Sequence, residues 1–186
     1  MALSTETKVI TGVVRLSYAH IWEPASINDS DEKKYSASII IPKSDTKTIK
    51  AIQAAIEAAK RVGMEKKWGG KLPKNLKLPL RDGDEEREDE AYQDSYFVNA
   101  SSKQAPQIVG PRCTQIMSQD EVYSGCYCVA SLNFYPFDTN GSRGIACGLN
   151  NIMKIRDGEP LGGRASAESD FADLEIEGYE DNNYLD

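Results

Sequence analysis

Gly125–Phe137 reads GCYCVASLNFYPF, and its alternation decides the fold class. In an extended chain Cys126, Cys128, Ala130, Leu132 and Phe134 take one face. Tyr127, Ser131, Asn133 and Tyr135 take the other. A period of two with one apolar side predicts a half-buried strand. The turn Asp138–Gly141 (DTNG) follows, then Ser142–Leu149, where Ile145, Cys147 and Leu149 form an inner face. The two runs predict a hairpin.

Working outward, Lys8–Tyr18 reads as a strand with Ile10, Val14, Leu16 and Tyr18 on one face and Thr11, Arg15 and Ser17 on the other. A polar loop with Pro24 follows. Tyr35–Ile41 is a second strand with Tyr35, Ala37, Ile39 and Ile41 inward, ended by Pro42. Ser44 or Asp45 caps a helix to about Val62, with Ile49, Ile52, Ile56 and Ala59 as its stripe and Gly63 as its stop. Residues 64–91 read as a loop. Further strands are expected at Ser95–Ala100 and Gln107–Val109. Five or six strands separated by turns, with one helix, predict a mainly β protein: an OB-fold-like five-stranded barrel with an inserted helix and long loops. The helix falls earlier than is usual for that barrel, so pattern alone leaves the topology open. Residues 1–164 form the expected domain and 165–186 a disordered acidic tail.

The tail Glu168–Asp186 (ESDFADLEIEGYEDNNYLD) holds eight carboxylates and no Lys or Arg. Its self-repulsion and small apolar surface cannot offset the entropy of ordering. It can imitate a polyanion, or present Leu174, Ile176, Tyr179, Tyr184 and Leu185 to a partner as a short acidic-hydrophobic peptide. The tail also hides the charge of the body. The chain carries −7 from 22 bases and 29 acids. Without the eight tail acids the net is +1. Setting aside Asp82–Glu90 (DGDEEREDE), seven acids and Arg87, leaves +7. A mildly basic body thus bears two acidic appendages, which restores nucleic acid as a partner despite the acidic bulk charge.

Catalytic constellations are absent from the sequence. There is no phosphate-binding glycine loop, and the one histidine, His20, reads as a surface or loop-packing residue. Cys113, Cys126, Cys128 and Cys147 lack metal-ligand spacing and read as reduced thiols. Asp82, Asp84, Glu85 and Glu86 could hold a hard cation, although a solvated acidic loop is the plainer reading. No cofactor and no metal are expected. With no apolar run near about 18 residues and no signal peptide, a cytoplasmic protein without membrane contact is expected.

Binding signals are stronger. Unpaired nucleic acid is held by cations for its phosphates and aromatic platforms for its bases. Lys60–Arg81 carries eight bases and one acid. Within it Trp68 stands among Lys66, Lys67 and Lys71. Tyr127 and Tyr135 lie on the outer face of the best strand, with Arg143, Lys154 and Arg156 on or after its hairpin partner. These nine residues are the candidate interface. The alternative for Trp68 is packing over a barrel end.

Several ordered stretches carry a resemblance. They are VRLSYAHIWEP from Val14, KYSASIIIPKSD from Lys34, PLRDGDEER from Pro79, YSGCYCVASLNFYPFD from Tyr123, GIACGLNNIMKIRDGEPLGGR from Gly144 and the Asp170-Phe171 that opens the tail. Together they resemble a family of phage-encoded single-stranded DNA-binding proteins with an OB-fold and an acidic C-terminal tail, over nearly residues 8–171. The resemblance implies a non-enzymatic role in phage replication or recombination inside the infected bacterium, with single-stranded DNA and phage or host replication and recombination proteins as partners. Pairing with a second copy as a homodimer is left open. Against it stand two readings from the residues: a metal-dependent nuclease using the Asp82–Glu90 acids, and a protein-interaction adaptor acting through its tail.

Overall fold

The computed structural model describes residues 6–26, 32–116 and 118–161. The predicted hairpin is its longest feature: β7 (Tyr127–Thr139) pairs antiparallel with β8 (Ser142–Arg156). Asn140 and Gly141 adopt left-handed φ of 48° and 82°, the conformation a two-residue hairpin turn of this hand requires. The alternation holds: Cys126, Cys128, Ala130, Leu132 and Phe134 are buried. β8 continues past Leu149 because Asn150 is an extra residue, seen as a register shift opposite Ser131 and Leu132. The bulge resets the phase, so Ile152 rather than Asn151 points inward.

The other strands are β1 (Lys8–Ile10), β2 (Val14–Ser26), β3 (Lys33–Pro42), β4 (Arg81–Asp82), β5 (Ser95–Ser102) and β6 (Gln107–Val109). Five of them close a ring in the order β7–β2–β3–β5–β8, and β8 returns to β7. Every contact in the ring is antiparallel except β5–β8, which is parallel and only two residue pairs long. This is the expected five-stranded OB-type barrel. β1 and β6 extend its outer edges, and β4 lies against β5. Leu16, Ile39, Ile41, Val98, Leu132, Phe134 and Leu149 fill the barrel, each contributing about 1.5–3 kcal/mol by leaving water.

Four readings of the strands need correction. Lys8–Tyr18 is two strands, because the chain turns at Gly12. In β1 the phase is reversed: Val9 and Thr11 are buried and Ile10 is 60 % exposed. Tyr18, expected inward, is 58 % exposed with φ 46°. A register shift between Ser17 and His20 throws it outward. The stretch expected to be a loop after Tyr18 is strand as far as Ser26.

α1 (Thr46–Lys66) is capped by Asp45, whose side chain accepts from the Thr48 amide. It buries Ile49, Ile52, Ile56 and Ala59, chiefly against β7 and β1. Gly63 does not stop it. The glycine is buried because the Trp68 ring lies directly on it, where a side chain would collide.

Residues 64–91 are not all loop. Asp82 caps a short helix, α2 (Gly83–Glu86), and a 3-10 turn covers Glu90–Tyr92. The insert is tied down at both ends. Lys43 Nζ meets Asp82 at 2.9 Å and Asp84 at 2.8 Å, and the Asp94 amide donates to Asp84. Tyr92 packs edge-on against Phe97 on the outside of the barrel, with Ile40, and donates its hydroxyl to Ser38.

Candidate nucleic-acid interface

The insert makes one wall of a groove. Its floor is the outer face of three adjacent strands: Tyr18 and His20 on β2, Ser36 and Ser38 on β3, Asn99 and Ser101 on β5. Arg87 overhangs it. This cleft, about 610 Å³, adjoins a second of about 840 Å³ that shares Tyr18 and His20 and is walled by Asp89, Asp120, Tyr123 and Leu161. At the other end Ser101 leads into a third cleft of about 330 Å³ with Lys34, Lys103, Asn133 and Tyr135. A track therefore crosses the barrel over a floor of Ser36, Ser38, Asn99 and Ser101, with Tyr18 where the first two clefts meet, Tyr135 in the third, and Arg87, Lys34 and Lys103 beside it.

The sequence-derived residues fall into separate places. Tyr135 lines the third cleft at 39 % exposure. Burial pushes its phenol up, so the ring stays neutral. Tyr127 faces outward on the same strand, but eight residues away, roughly 26 Å along it. Its ring carries Arg156 at 4.4 Å and Arg15 at 5.4 Å. Arg15 in turn donates to the Gly125 and Glu159 carbonyls, tying the exit of β8 to the start of β7. Tyr127 is thus engaged where the segment after β8 is tied to the start of β7. Lys154 meets Asp157 at 2.5 Å and lies over Tyr123, and Arg143 pairs with Asp138.

Trp68 requires a correction. It is 7 % exposed, packs on Gly63, and donates its indole N–H to the Phe137 carbonyl at 3.2 Å. The packing alternative describes it: the ring has no free face for a base. It anchors a loop whose Lys66, Lys67, Lys71, Lys74 and Lys77 are exposed. Lys77 joins the hairpin, donating its amide to the Arg143 carbonyl and accepting from the Ile145 amide.

The sequence pattern does not single out Tyr18, Arg87, Lys34 or Lys103. Strand alternation hid Tyr18, and seven neighbouring acids hid Arg87. Of the acids that a nuclease reading would use, Asp82 and Asp84 are held by Lys43. Among the described residues, no group of three His, Cys, Asp or Glu side chains is placed to hold a metal ion. The tail residues Leu174, Ile176, Tyr179, Tyr184 and Leu185 lie outside the described residues.

The closed five-strand ring, with a groove across β2, β3 and β5, is that of an OB-type barrel. The family model described as the ssDNA-binding protein of Enterobacter phage Enc34 matches residues 7–183, and the chain belongs to this family. It is 31 % identical over 180 residues to protein p50 of Acyrthosiphon pisum secondary endosymbiont phage 1, covering 91 % of this chain and 95 % of that one. Its fold is similar to that of the single-stranded DNA-binding protein of bacteriophage Enc34 in complex with ssDNA (TM-score 0.74, 23 % identity, 84 % of this chain and 90 % of that). It is also similar to gp2.5, a single-stranded DNA-binding protein encoded by bacteriophage T7 (TM-score 0.61, 15 % identity, 93 % and 97 %). The family met here is the one that the sequence motifs resemble.

Proposed function

We propose that this chain is a non-enzymatic, phage-encoded single-stranded DNA-binding protein that holds DNA along the groove on β2, β3 and β5. The observation that carries this reading is the track itself: a polar floor between two exposed tyrosines, flanked by Arg87, Lys34 and Lys103. Family membership and the DNA complex of the Enc34 protein support it. Lys103 pairs with Glu32 at the surface, a contact weak enough to be exchanged for a phosphate. Lys66, Lys67, Lys71 and Arg143 are proposed as further phosphate contacts beside the hairpin.

The acidic tail is proposed to compete with DNA and, once displaced, to recruit phage or host replication or recombination proteins through Leu174, Ile176, Tyr179, Tyr184 and Leu185. The position of Leu161 supports this. That residue lines the second cleft, so the 25 residues beyond it start at the groove wall. Its place of action is the cytoplasm of the infected bacterium.

Anisotropy titration of a labelled oligothymidylate across salt concentrations tests the reading. Log affinity should fall linearly with log salt, by about 0.7 per phosphate neutralised. The double variant Lys34→Ala, Lys103→Ala should bind more weakly with a shallower slope. Absence of binding by the wild-type chain overturns the proposal. Degradation of the oligonucleotide in Mg²⁺ would favour the nuclease reading.

A further inference from the structure

Resting on that reading, we infer that Tyr18 and Arg87 form a one-nucleotide subsite, Tyr18 stacking on the base and Arg87 taking its phosphate. Tyr18 is a bulky residue in left-handed backbone, φ 46°. Such strain persists only where the surroundings over-determine it, and it gathers at ligand clamps. Here the Ala19 amide donates to Ser124 Oγ at 2.9 Å and fixes the bulge. The conformation sets an aromatic ring 58 % exposed at the junction of two clefts.

Arg87 shows a second anomaly. It lies among Asp84, Glu85, Glu86, Glu88, Asp89 and Glu90 in sequence, yet forms no ion pair with any described residue. Its Nε is buried without a hydrogen-bond partner among them. A buried N–H left unpaired is costly, the more so on a charged group. Aromatic faces hold the guanidinium in place instead: Phe97 at 5.0 Å, Tyr92 at 5.4 Å and Tyr18 at 5.8 Å. The group is fixed, charged and unspent, and it lines the groove. The 5.8 Å between guanidinium and Tyr18 ring lets one nucleotide touch both. A base takes the ring face, and its phosphate takes the terminal guanidinium nitrogens, which no described acid pairs and which, unlike the buried Nε, can serve the groove that Arg87 lines.

The test uses the full chain, a labelled oligothymidylate, a salt series and thermal melts. Tyr18→Gly should weaken binding roughly 5- to 150-fold with the salt slope unchanged. It should not lower Tm, because glycine relieves the strained φ. Tyr18→Trp should restore affinity. Arg87→Gln should make the salt slope shallower by about 0.7, while Arg87→Lys keeps it. Wild-type affinity in both Tyr18→Gly and Arg87→Gln overturns the subsite alone. A weakened Tyr18→Gly variant that also melts earlier overturns it too, since the ring would then be structural. A wild-type chain that does not bind overturns the DNA-binding reading and the subsite together.

Discussion

Trp68 illustrates how one side chain can be read two ways until its surroundings are known. Lysines and glycines on both sides suit a base platform, but the ring is used to seal the junction of α1 and the β7–β8 hairpin. Trp68→Ala should therefore cost about 3–5 kcal/mol of stability, measured by urea unfolding; unchanged stability would show the ring to be dispensable for packing. The thiols make a second residue-scale prediction. Burial pushes Cys126, Cys128 and Cys147 up, so none is a thiolate near neutrality, whereas Cys113 is exposed. One thiol, Cys113, should react rapidly with a thiol reagent in the native protein. Rapid labelling of four would contradict the burial.

Among the elements, the insert between β4 and β5 has a pH dependence of definite sign. The hydrogen bond from Lys43, aided by the Asp94 amide, holds the Asp84 carboxyl below the usual carboxylate range. A carboxyl so depressed contributes stability that is present above its unfolded value, about 3.9, and is lost as pH falls through its folded value. The Asp94 amide resonance should thus titrate with a midpoint below about 3.9, moved upward by Lys43→Ala. A wild-type midpoint at or above the usual value would contradict the anchor. Strands with unbroken alternation were legible from sequence, β3, β5 and β7 above all. Phase was lost wherever a bulge intervened, at Ser17–His20 and at Asn150. The site suffered most, because the same bulge that hides Tyr18 from pattern is what exposes it. Arg87 was hidden by summation: a net charge for Asp82–Glu90 says nothing of which member is paired.

For the whole molecule, the strand count and the hairpin pointed to a barrel, yet closure is a matter of long-range pairing that no local period encodes. The charge partition has its consequence at this scale. If the tail competes as proposed, its acids, tethered beyond Leu161 of the second cleft, act at high effective concentration. Removing residues 168–186 should raise affinity for oligothymidylate, most at low salt where screening is weak. Equal affinity there would argue against competition.

The seam between β5 and β8 is the ring's one parallel join, two residue pairs long, Ala100 with Cys147 and Ser101 with Gly148. Beside it, Lys77 is stitched to β8 and Arg81–Asp82 to β5, so a surface loop bridges the remaining gap. With so few pairs across it, amide exchange at Lys77 and Ile145 should be faster than along the long antiparallel β7–β8 join. The third cleft lies over the seam, since Ser101 and Gly148 both border it. An oligonucleotide laid in the groove would then act as a rivet across this short join, and its arrival should register as slowed exchange on both banks.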